Sequence, residues 1–305
     1  MRLLQRLFIT VMVVGVFLFV TDQVRSQQWY PIKEGRLFGI SGMALFDHCS
    51  NRTSFLVVHD NKKQNECRLA LLTVEDKNQL RYFPLNWPQG IEPPIDLEAV
   101  TSIPENLKSS FMALTSSGKI YHIQIDIPRT KVSVIKIFDL PNISKGSNFE
   151  GFSMQTMNDR ILTVWAHRGE NAQPAKIYWG LFDLTDYKFS QTTSTNLKVP
   201  WHENNVRHIS DLKVDAAGIL FISSASDPGD DGPFQSAAYV VGVFCIHNNE
   251  VVFRQNLEPV KIYKFESHKV EALEFLPGKS GGMVFVTDDE NMGSSIFSNL
   301  YITTD

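Results

Sequence analysis

The sequence has little cysteine and lacks the short motifs of several common sites. Only three cysteines occur in 305 residues, and none form a CxxC pair, so neither a zinc site of the usual spacing nor a dense disulfide framework is predicted. The chain also lacks GxxxxGK(S/T), HExxH, GxSxG and a GxGxxG turn before a helix. These absences argue against the P-loop, zincin, nucleophile-elbow and dinucleotide-binding classes.

Clusters of basic residues are absent too. The formal net charge is −4, and no run of lysine and arginine is long enough to track a phosphate backbone. We therefore expect no nucleic-acid partner.

A single long apolar run is present, at residues 7–20. Two arginines precede it, and a polar stretch containing the small residue Ser26 follows, which is typical of a secretory signal peptide. The run is shorter than the roughly 20 residues of a membrane span. We predict that residues 1–26 are a signal peptide, with an uncleaved anchor as the alternative. Residues 27–305 then form one domain of an exported protein, periplasmic or secreted, without other membrane contact.

Five short motifs recur along the chain at steps of 52 to 61 residues. They are ISGM, LEAV, FEGF, ISDL and VEAL, and their marked positions are Ser41, Glu98, Glu150, Ser210 and Glu271. Each motif opens a series of short β-rich runs separated by Gly, Asn, Asp and Pro. Four strands in each of several repeats is the plan of a β-propeller blade.

The last repeat is one strand short, because it ends with SNLYITT at 298–304 as its third strand. Residues 28–38, which precede the first motif, have no partner in the first repeat. Added to the last repeat as its outermost strand, they complete a fifth sheet and remove an exposed edge. We predict an all-β, five-bladed β-propeller whose last blade is closed by the N-terminal strand. A six-bladed ring and an irregular β-sandwich are the alternatives.

The five marked residues stand at the heads of the innermost strands, which line the channel of a propeller. Three carboxylates gathered there repel one another, and burial adds to their cost. A positive group is therefore expected among them, and calcium fits best because it takes about six to eight oxygen ligands. Magnesium is the second choice. A structural ring of hydrogen bonds between blades is the alternative interpretation.

The order Ser, Glu, Glu, Ser, Glu in these motifs resembles the calcium centre of the five-bladed calcium-dependent apyrases, which are secreted enzymes that hydrolyse nucleoside di- and triphosphates. VVHDNKK at 57–63 is similar to an acidic–basic loop of that family. DLEAV and NFEGF also resemble propellers of the esterase-like phytase group. The resemblance is confined to these stretches, and it implies a propeller with a central calcium ion.

Polar loops between the second and third strands should surround the same end of the channel. We expect their basic side chains to bind an anionic small molecule, and their acidic and histidine side chains to act on water or a second metal. The candidate substrate-binding residues are Lys62, Lys63, Lys119 and Arg168. The candidate catalytic residues are His59, Asp60 and His167, with Asp227, Asp230 and Asp231 in a further loop.

Together these features favour an exported, monomeric propeller that binds calcium and an anionic small ligand. Its enzymatic form is a calcium-dependent hydrolase of phosphate esters or anhydrides, and ester or lactone hydrolysis is a further option. The alternative is a non-catalytic binding or scaffold propeller in which calcium is structural, since the fold serves both roles.

Overall fold

A computed structural model describes residues 28–75, 79–104, 109–126, 130–144, 146–201, 204–248, 250–277 and 281–298. The predicted leader at residues 1–26 lies outside this part of the chain. Within it the fold is all-β, and its strands form five four-stranded antiparallel sheets. The part of the chain that the structure describes contains no helix that is long and apolar enough to cross a membrane.

The strands follow one another as the repeats predict, with one strand, β1 (Tyr30–Lys33), ahead of the first blade. Blade 1 contains β2 (Gly42–Cys49), β3 (Arg52–Val58), β4 (Leu69–Glu75) and β5 (Gln79–Leu85). Blade 2 contains β6 (Leu97–Ser102), β7 (Ser110–Thr115), β8 (Lys119–Asp126) and β9 (Lys131–Asp139). Blade 3 contains β10 (Phe149–Met157), β11 (Arg160–His167), β12 (Ala175–Asp183) and β13 (Lys188–Leu197). Blade 4 contains β14 (Val206–Val214), β15 (Ile219–Ser226), β16 (Gln235–His247) and β17 (Glu250–Glu266). Blade 5 contains β18 (Val270–Phe275), β19 (Met283–Thr287) and β20 (Ser294–Ser298), with β1 as its fourth strand.

The N-terminal strand closes the ring, as predicted. β1 pairs antiparallel with β20, and Tyr30 lies opposite Ile296. The third strand of this blade begins earlier than the predicted 298–304, because Ile296 is fully buried and pairs with Val286 of β19. Residues 299–305 lie outside the described residues.

The inner strands meet in a closed cycle, β2 with β6, β10, β14, β18 and back to β2. The second strands, such as β3 and β7, are buried along almost their whole length, whereas the outermost strands β5 and β9 alternate or are mostly exposed. This decrease in burial from the inner to the outer strands explains the continuous apolar runs in the sequence. The inner strands of each blade pack against neighbouring blades on both faces.

Side chains on the inner strands bond each blade to the next. A side-chain oxygen accepts a backbone N–H of the following blade at four of the five described interfaces. The pairs are Thr101 with Met154 at 3.3 Å, Ser153 with Val214 at 3.1 Å, Asp211 with Leu273 at 2.9 Å and Glu274 with Leu45 at 3.2 Å. At the fifth interface Gly42 lies so close to blade 2 that a Cβ would come within 2.8 Å of the Ala99 Cα.

A buried lysine crosses the channel below its mouth. Lys213 of blade 4 donates to the Val100 carbonyl of blade 2 at 2.8 Å, and its Nζ lies 3.8 Å from Asp211. Burial raises the pKa of Asp211 to about 7, against the opposing effect of Lys213. Lys213 and Asp211 thus connect blades through hydrogen bonds, which is the alternative role that the sequence suggests for the strand-head residues.

We expect Asp211→Ala to lower the free energy of unfolding by about 3–5 kcal/mol, because it leaves Lys213 buried without its carboxylate. The Leu212 and Leu273 N–H groups would also lose their acceptor. Urea denaturation measures the effect. Asp186→Ala, at an exposed carboxylate beside Lys188, is the control and should leave stability unchanged. Equal stability of the two variants would contradict this role for Asp211.

Candidate functional site

Each ring glutamate is the extra residue of a β-bulge at the head of an inner strand. The pairing of β6 with β7 skips Glu98, and the pairings of β10 and β18 skip Glu150 and Glu271 in the same way. The pairing of β14 is interrupted across a stretch that includes Ser210. A bulge re-aims a side chain relative to the regular ladder. The sequence can therefore place a carboxylate between buried apolar neighbours.

The three glutamates are buried and interact electrostatically with one another. Their exposed fractions are 8% for Glu98, 2% for Glu150 and 3% for Glu271. Burial raises the pKa of Glu98 well above its ordinary value, and the charges of Glu150 and Glu271 raise it further. Burial also raises the pKa of Glu150 to about 7, despite the opposing effect of Arg207. Residues far apart in the sequence therefore form one electrostatic unit.

Basic side chains of the protein itself lie among these carboxylates. Arg207 Nη1 is 2.9 Å from Glu271 Oε1, and Lys269 Nζ is 3.3 Å from the same oxygen. Arg168 Nη1 is 3.3 Å from Glu150 Oε1. The positive charge that the sequence requires is thus supplied, for two of the three glutamates, by arginine and lysine.

These basic residues also bind a surrounding layer of carboxylates. Arg207 forms an ion pair with Asp227, Arg168 contacts Glu170 at 3.4 Å, and Lys269 contacts Asp288 at 3.5 Å and Glu290. Although burial opposes the charged form, Glu271 raises the pKa of both Arg207 and Lys269, and Asp227 and Asp288 respectively raise it further. The cations are therefore held charged and in place.

Glu98 differs from the other two glutamates. The described residues give its carboxyl group neither an ion pair nor a hydrogen bond, although Asp96 and Asp60 add to the negative charge around it. The hydroxyls of Ser41 and Ser210 are also buried without a hydrogen-bond partner in the described part of the chain. Within the described residues, the ring hydroxyls of Ser41 and Ser210 are thus left without a protein partner.

The fit of these residues to calcium is partial. The donors are hard oxygens, as calcium prefers; within the described residues the hydroxyls of Ser41 and Ser210 have no hydrogen-bond partner, and the Glu98 carboxyl forms no ion pair. However, the described residues contain no group of three or more Asp, Glu, His or Cys side chains that could hold a metal ion. Glu150 and Glu271 are engaged by arginine and lysine. Calcium therefore stays a prediction, for which these three residues would supply the ligands.

A cavity of about 320 Å³ lies beside the ring. Asp60 and Asp288 line it, and both interact electrostatically with Glu271. Burial, together with neighbouring carboxylates, raises the pKa of each. Lys62 also lines the cavity, and its Nζ is 2.8 Å from Asp96. We call this cavity with the ring the mouth. Its carboxylates outnumber its basic side chains.

His59 does not face the mouth, so its predicted catalytic role is wrong. Its side chain is fully buried, Nδ1 lies against the Gly39 carbonyl, and Nε2 is 2.9 Å from the Tyr82 hydroxyl. Burial lowers the pKa of this imidazole to about 4. The next residue, Asp60, reaches the cavity instead, because successive side chains of an extended chain point to opposite sides.

His167 and Lys119 also have their contacts away from the ring. His167 Nδ1 accepts the Gly169 N–H at 3.2 Å, and burial lowers the pKa of the His167 imidazole. Lys119 pairs with Asp139 of the outermost strand at 3.2 Å. These contacts give no support to the predicted roles of His167 and Lys119, whereas Arg168, which follows His167, contacts Glu150 of the ring.

Lys63 lines the cavity wall but is largely exposed, with its Nζ 3.7 Å from Glu66. The loop with Asp230 and Asp231 is held over neighbouring segments. Asp230 pairs with Arg36 at 3.2 Å, and Asp231 accepts the Asn291 side-chain N–H at 3.1 Å. This loop borders the mouth through Asp227, whereas its other two carboxylates fasten it in place.

Sequence reasoning missed Arg207 and Lys269. Both stand inside the recurring stretches, in RHISDL and HKVEAL, close to the marked positions Ser210 and Glu271. The signal was a basic residue two or three positions before the marked residue. It was not used, because only two of the five repeats carry it.

The raised pKa values give a pH dependence of stability. A carboxyl with a native pKa above its unfolded value binds protons that the unfolded chain releases. The stability that this extra proton binding contributes to the native state is complete below about pH 4. It is lost as the pH rises through about 7, the pKa of Glu150. In a chelating buffer, the free energy of unfolding should fall between about pH 5 and about pH 8.

Glu98→Gln tests this cause, because it removes the ionisable group and keeps the shape. We expect the variant to be more stable than wild type at about pH 8 by about 1 kcal/mol or more, as measured by urea denaturation in chelator. Glu170→Gln, at an exposed partner of Arg168, is the control. A lower stability of Glu98→Gln at that pH would show that Glu98 is held as a satisfied anion.

Comparisons with known proteins give the fold. No protein-family model matches the chain, and no curated protein matches it in sequence. The catalytic domain of the Coprinopsis cinerea GH62 α-L-arabinofuranosidase is similar in structure, with a TM-score of 0.54, 10% identity, and coverage of 92% of this chain and 99% of that one. The Podospora anserina α-L-arabinofuranosidase PaAbf62A, in complex with cellotriose, has a TM-score of 0.53 and 10% identity over 90% of this chain and 97% of that one. These neighbours are glycoside hydrolases rather than apyrases or phytases, and at such identity they show a shared fold alone: the chain is a five-bladed β-propeller.

Proposed function

We propose that the mouth is the active site of a hydrolase that acts on a small, uncharged, hydroxyl-rich substrate, with the glycosidic bond as the first bond class to test. One observation carries the proposal. Within the described residues the buried Glu98 carboxyl forms no ion pair, whereas Glu271 is held by Arg207 and Lys269, and Glu150 by Arg168. Carboxyl groups that lie close together in different electrostatic surroundings are the arrangement of acid–base hydrolysis.

The charge of the mouth supports an uncharged substrate. Its basic side chains are all engaged with carboxylates, and the carboxylates are in excess. An anion would meet net repulsion there, whereas sugar hydroxyls both donate to carboxylates and accept from Lys62, which lines the cavity. The cavity volume of about 320 Å³ is at the lower end of small-ligand sites, which span roughly 300–1,000 Å³.

The proposal gives the residues separate roles. Glu98 donates a proton to the leaving-group oxygen as the bond to the sugar carbon breaks, and Asp60, on the cavity wall, accepts a proton from the attacking water. The raised pKa of Asp60, caused by burial and then by Glu271, brings it nearer to neutral pH as a base requires. Arg207 and Lys269 hold Glu271 in place without touching the substrate.

Turnover of a panel of aryl glycosides, measured in chelator, tests the proposal. Glu98→Gln and Asp60→Asn should each lower kcat by about 100-fold or more, and Asp139→Asn, at a surface carboxylate paired with Lys119, should not. An active wild type whose Glu98→Gln variant keeps full kcat would refute the role of Glu98. No turnover of any glycoside would refute the proposed bond class.

Calcium-dependent hydrolysis of a phosphate ester or anhydride is the second candidate. The observation that favours it is the pair of unsatisfied hydroxyls, Ser41 and Ser210, near Glu98 in an order that resembles the apyrase centre. A bound cation would offset the excess negative charge and let Lys62 and Arg168 contact an anion. In this candidate function an anionic substrate binds only when the cation is also bound.

Thermal melting with calcium and with chelator separates the two candidates. Under the second, saturating calcium at 100-fold above Kd should stabilise wild type by about 2.7 kcal/mol. The shift should be lost in Glu98→Gln and reduced in Ser210→Ala, and nucleotides should release phosphate only with calcium. A calcium shift without turnover would support the non-catalytic binding propeller. Identical melting in both buffers would rule out a calcium centre.

A further inference from the structure

A second and larger cavity, of about 690 Å³, lies between the loop 62–68 and the segment 84–93 that leads from blade 1 to blade 2. Its wall carries several exposed amide side chains and one large aromatic ring. These residues are Gln64, Asn65, Asn86, Trp87 and Gln89, with the apolar Ile91 among them. The volume is within the range of small-molecule sites.

The two charged residues of this wall are already satisfied. The Glu66 carboxylate accepts the backbone N–H groups of Lys62 at 3.1 Å and Lys63 at 2.8 Å. Arg68 is buried and donates to the carbonyls of Pro94, Glu66 and Lys63. The wall therefore offers a ligand amide and aromatic groups rather than charge. Arg68 also holds the loop against the linker, so the cavity has a fixed shape.

The second cavity adjoins the mouth. Glu66 belongs to the walls of both cavities, and the loop 62–68 divides them. A ligand built of several linked units can therefore place one unit in the mouth and extend across this loop into the second cavity. This position on the rim, next to the ring, is what a chain-like substrate needs.

The lining selects the ligand class. Amide groups both donate to and accept from hydroxyls, and an indole face packs against the apolar C–H face of a sugar. Trp87 is held for this by an edge-to-face contact with Tyr121 at 5.6 Å between centroids. A polyanion would find no free basic side chain on this wall, and a purely apolar ligand would leave the amides without partners.

We propose that the second cavity binds further units of a neutral oligosaccharide whose terminal unit occupies the mouth. This inference rests on the proposed hydrolase function, because it assigns the substrate its length. It makes Trp87, Asn65 and Gln89 the residues that distinguish an oligomer from a single sugar.

Binding can be separated from catalysis by using Glu98→Gln as the background. Isothermal titration with cello-, xylo- and arabino-oligosaccharides of increasing length should show affinity that rises with length in at least one series. Adding Trp87→Ala should weaken the longest oligomer by about tenfold or more and leave the monosaccharide unaffected. Phe83→Ala, at an exposed aromatic residue of β5 outside the cavity, should leave both unchanged.

Asn65→Ala and Gln89→Ala give the same test at exposed positions where folding is not at risk. Affinity that does not rise with length, or equal binding by the Trp87, Asn65 and Gln89 variants and by the control, would overturn the inference. Length-dependent binding that Trp87→Ala removes, in a protein that hydrolyses no glycoside, would support this site and refute the proposed catalysis. The two failures are therefore distinguishable.

Discussion

The structure depends on compensating the electrostatic repulsion between several carboxylates that are buried close together. Arg207 and Lys269 bind Glu271, and Arg168 binds Glu150, so two of the three ring glutamates are neutralised within the protein. Removing one partner of such a pair is costly because the other charge is left buried. Glu98 is the exception, because its carboxyl forms no ion pair within the described residues, and a proton, a cation or a substrate group would compensate its charge there.

The inner strands carry both the candidate site and the hydrogen bonds that join the blades. At the mouth, a bulge in three blades turns a glutamate out of the regular pairing. A few residues further along, Asp211, Lys213 and Glu274 bond blades to one another. The proposed ligand site and the bonds that join the blades therefore occupy different positions along the same strands.

The sequence was sufficient for the propeller, its closing strand and the positions at the strand heads, because repetition makes each blade a copy of one pattern. Non-repeating features were harder. Arg207 and Lys269 occur in single blades, and the second cavity is built by an irregular linker around Trp87. His59 was misassigned because a loop position does not reveal which way a side chain points, and a shift of one residue exchanges buried and exposed faces.

The protonation state of Glu98 tests the account most directly. Carbon-13 NMR of the glutamate carboxyl signals, assigned by comparison with Glu98→Gln and recorded in chelator, gives its titration. The account predicts that the Glu98 carboxyl stays protonated well above the ordinary glutamate pKa of about 4.3, because burial and then the neighbouring carboxylates raise its pKa. A Glu98 signal that titrates at the ordinary value would contradict the account, since the carboxyl would then be solvated or paired like any surface glutamate.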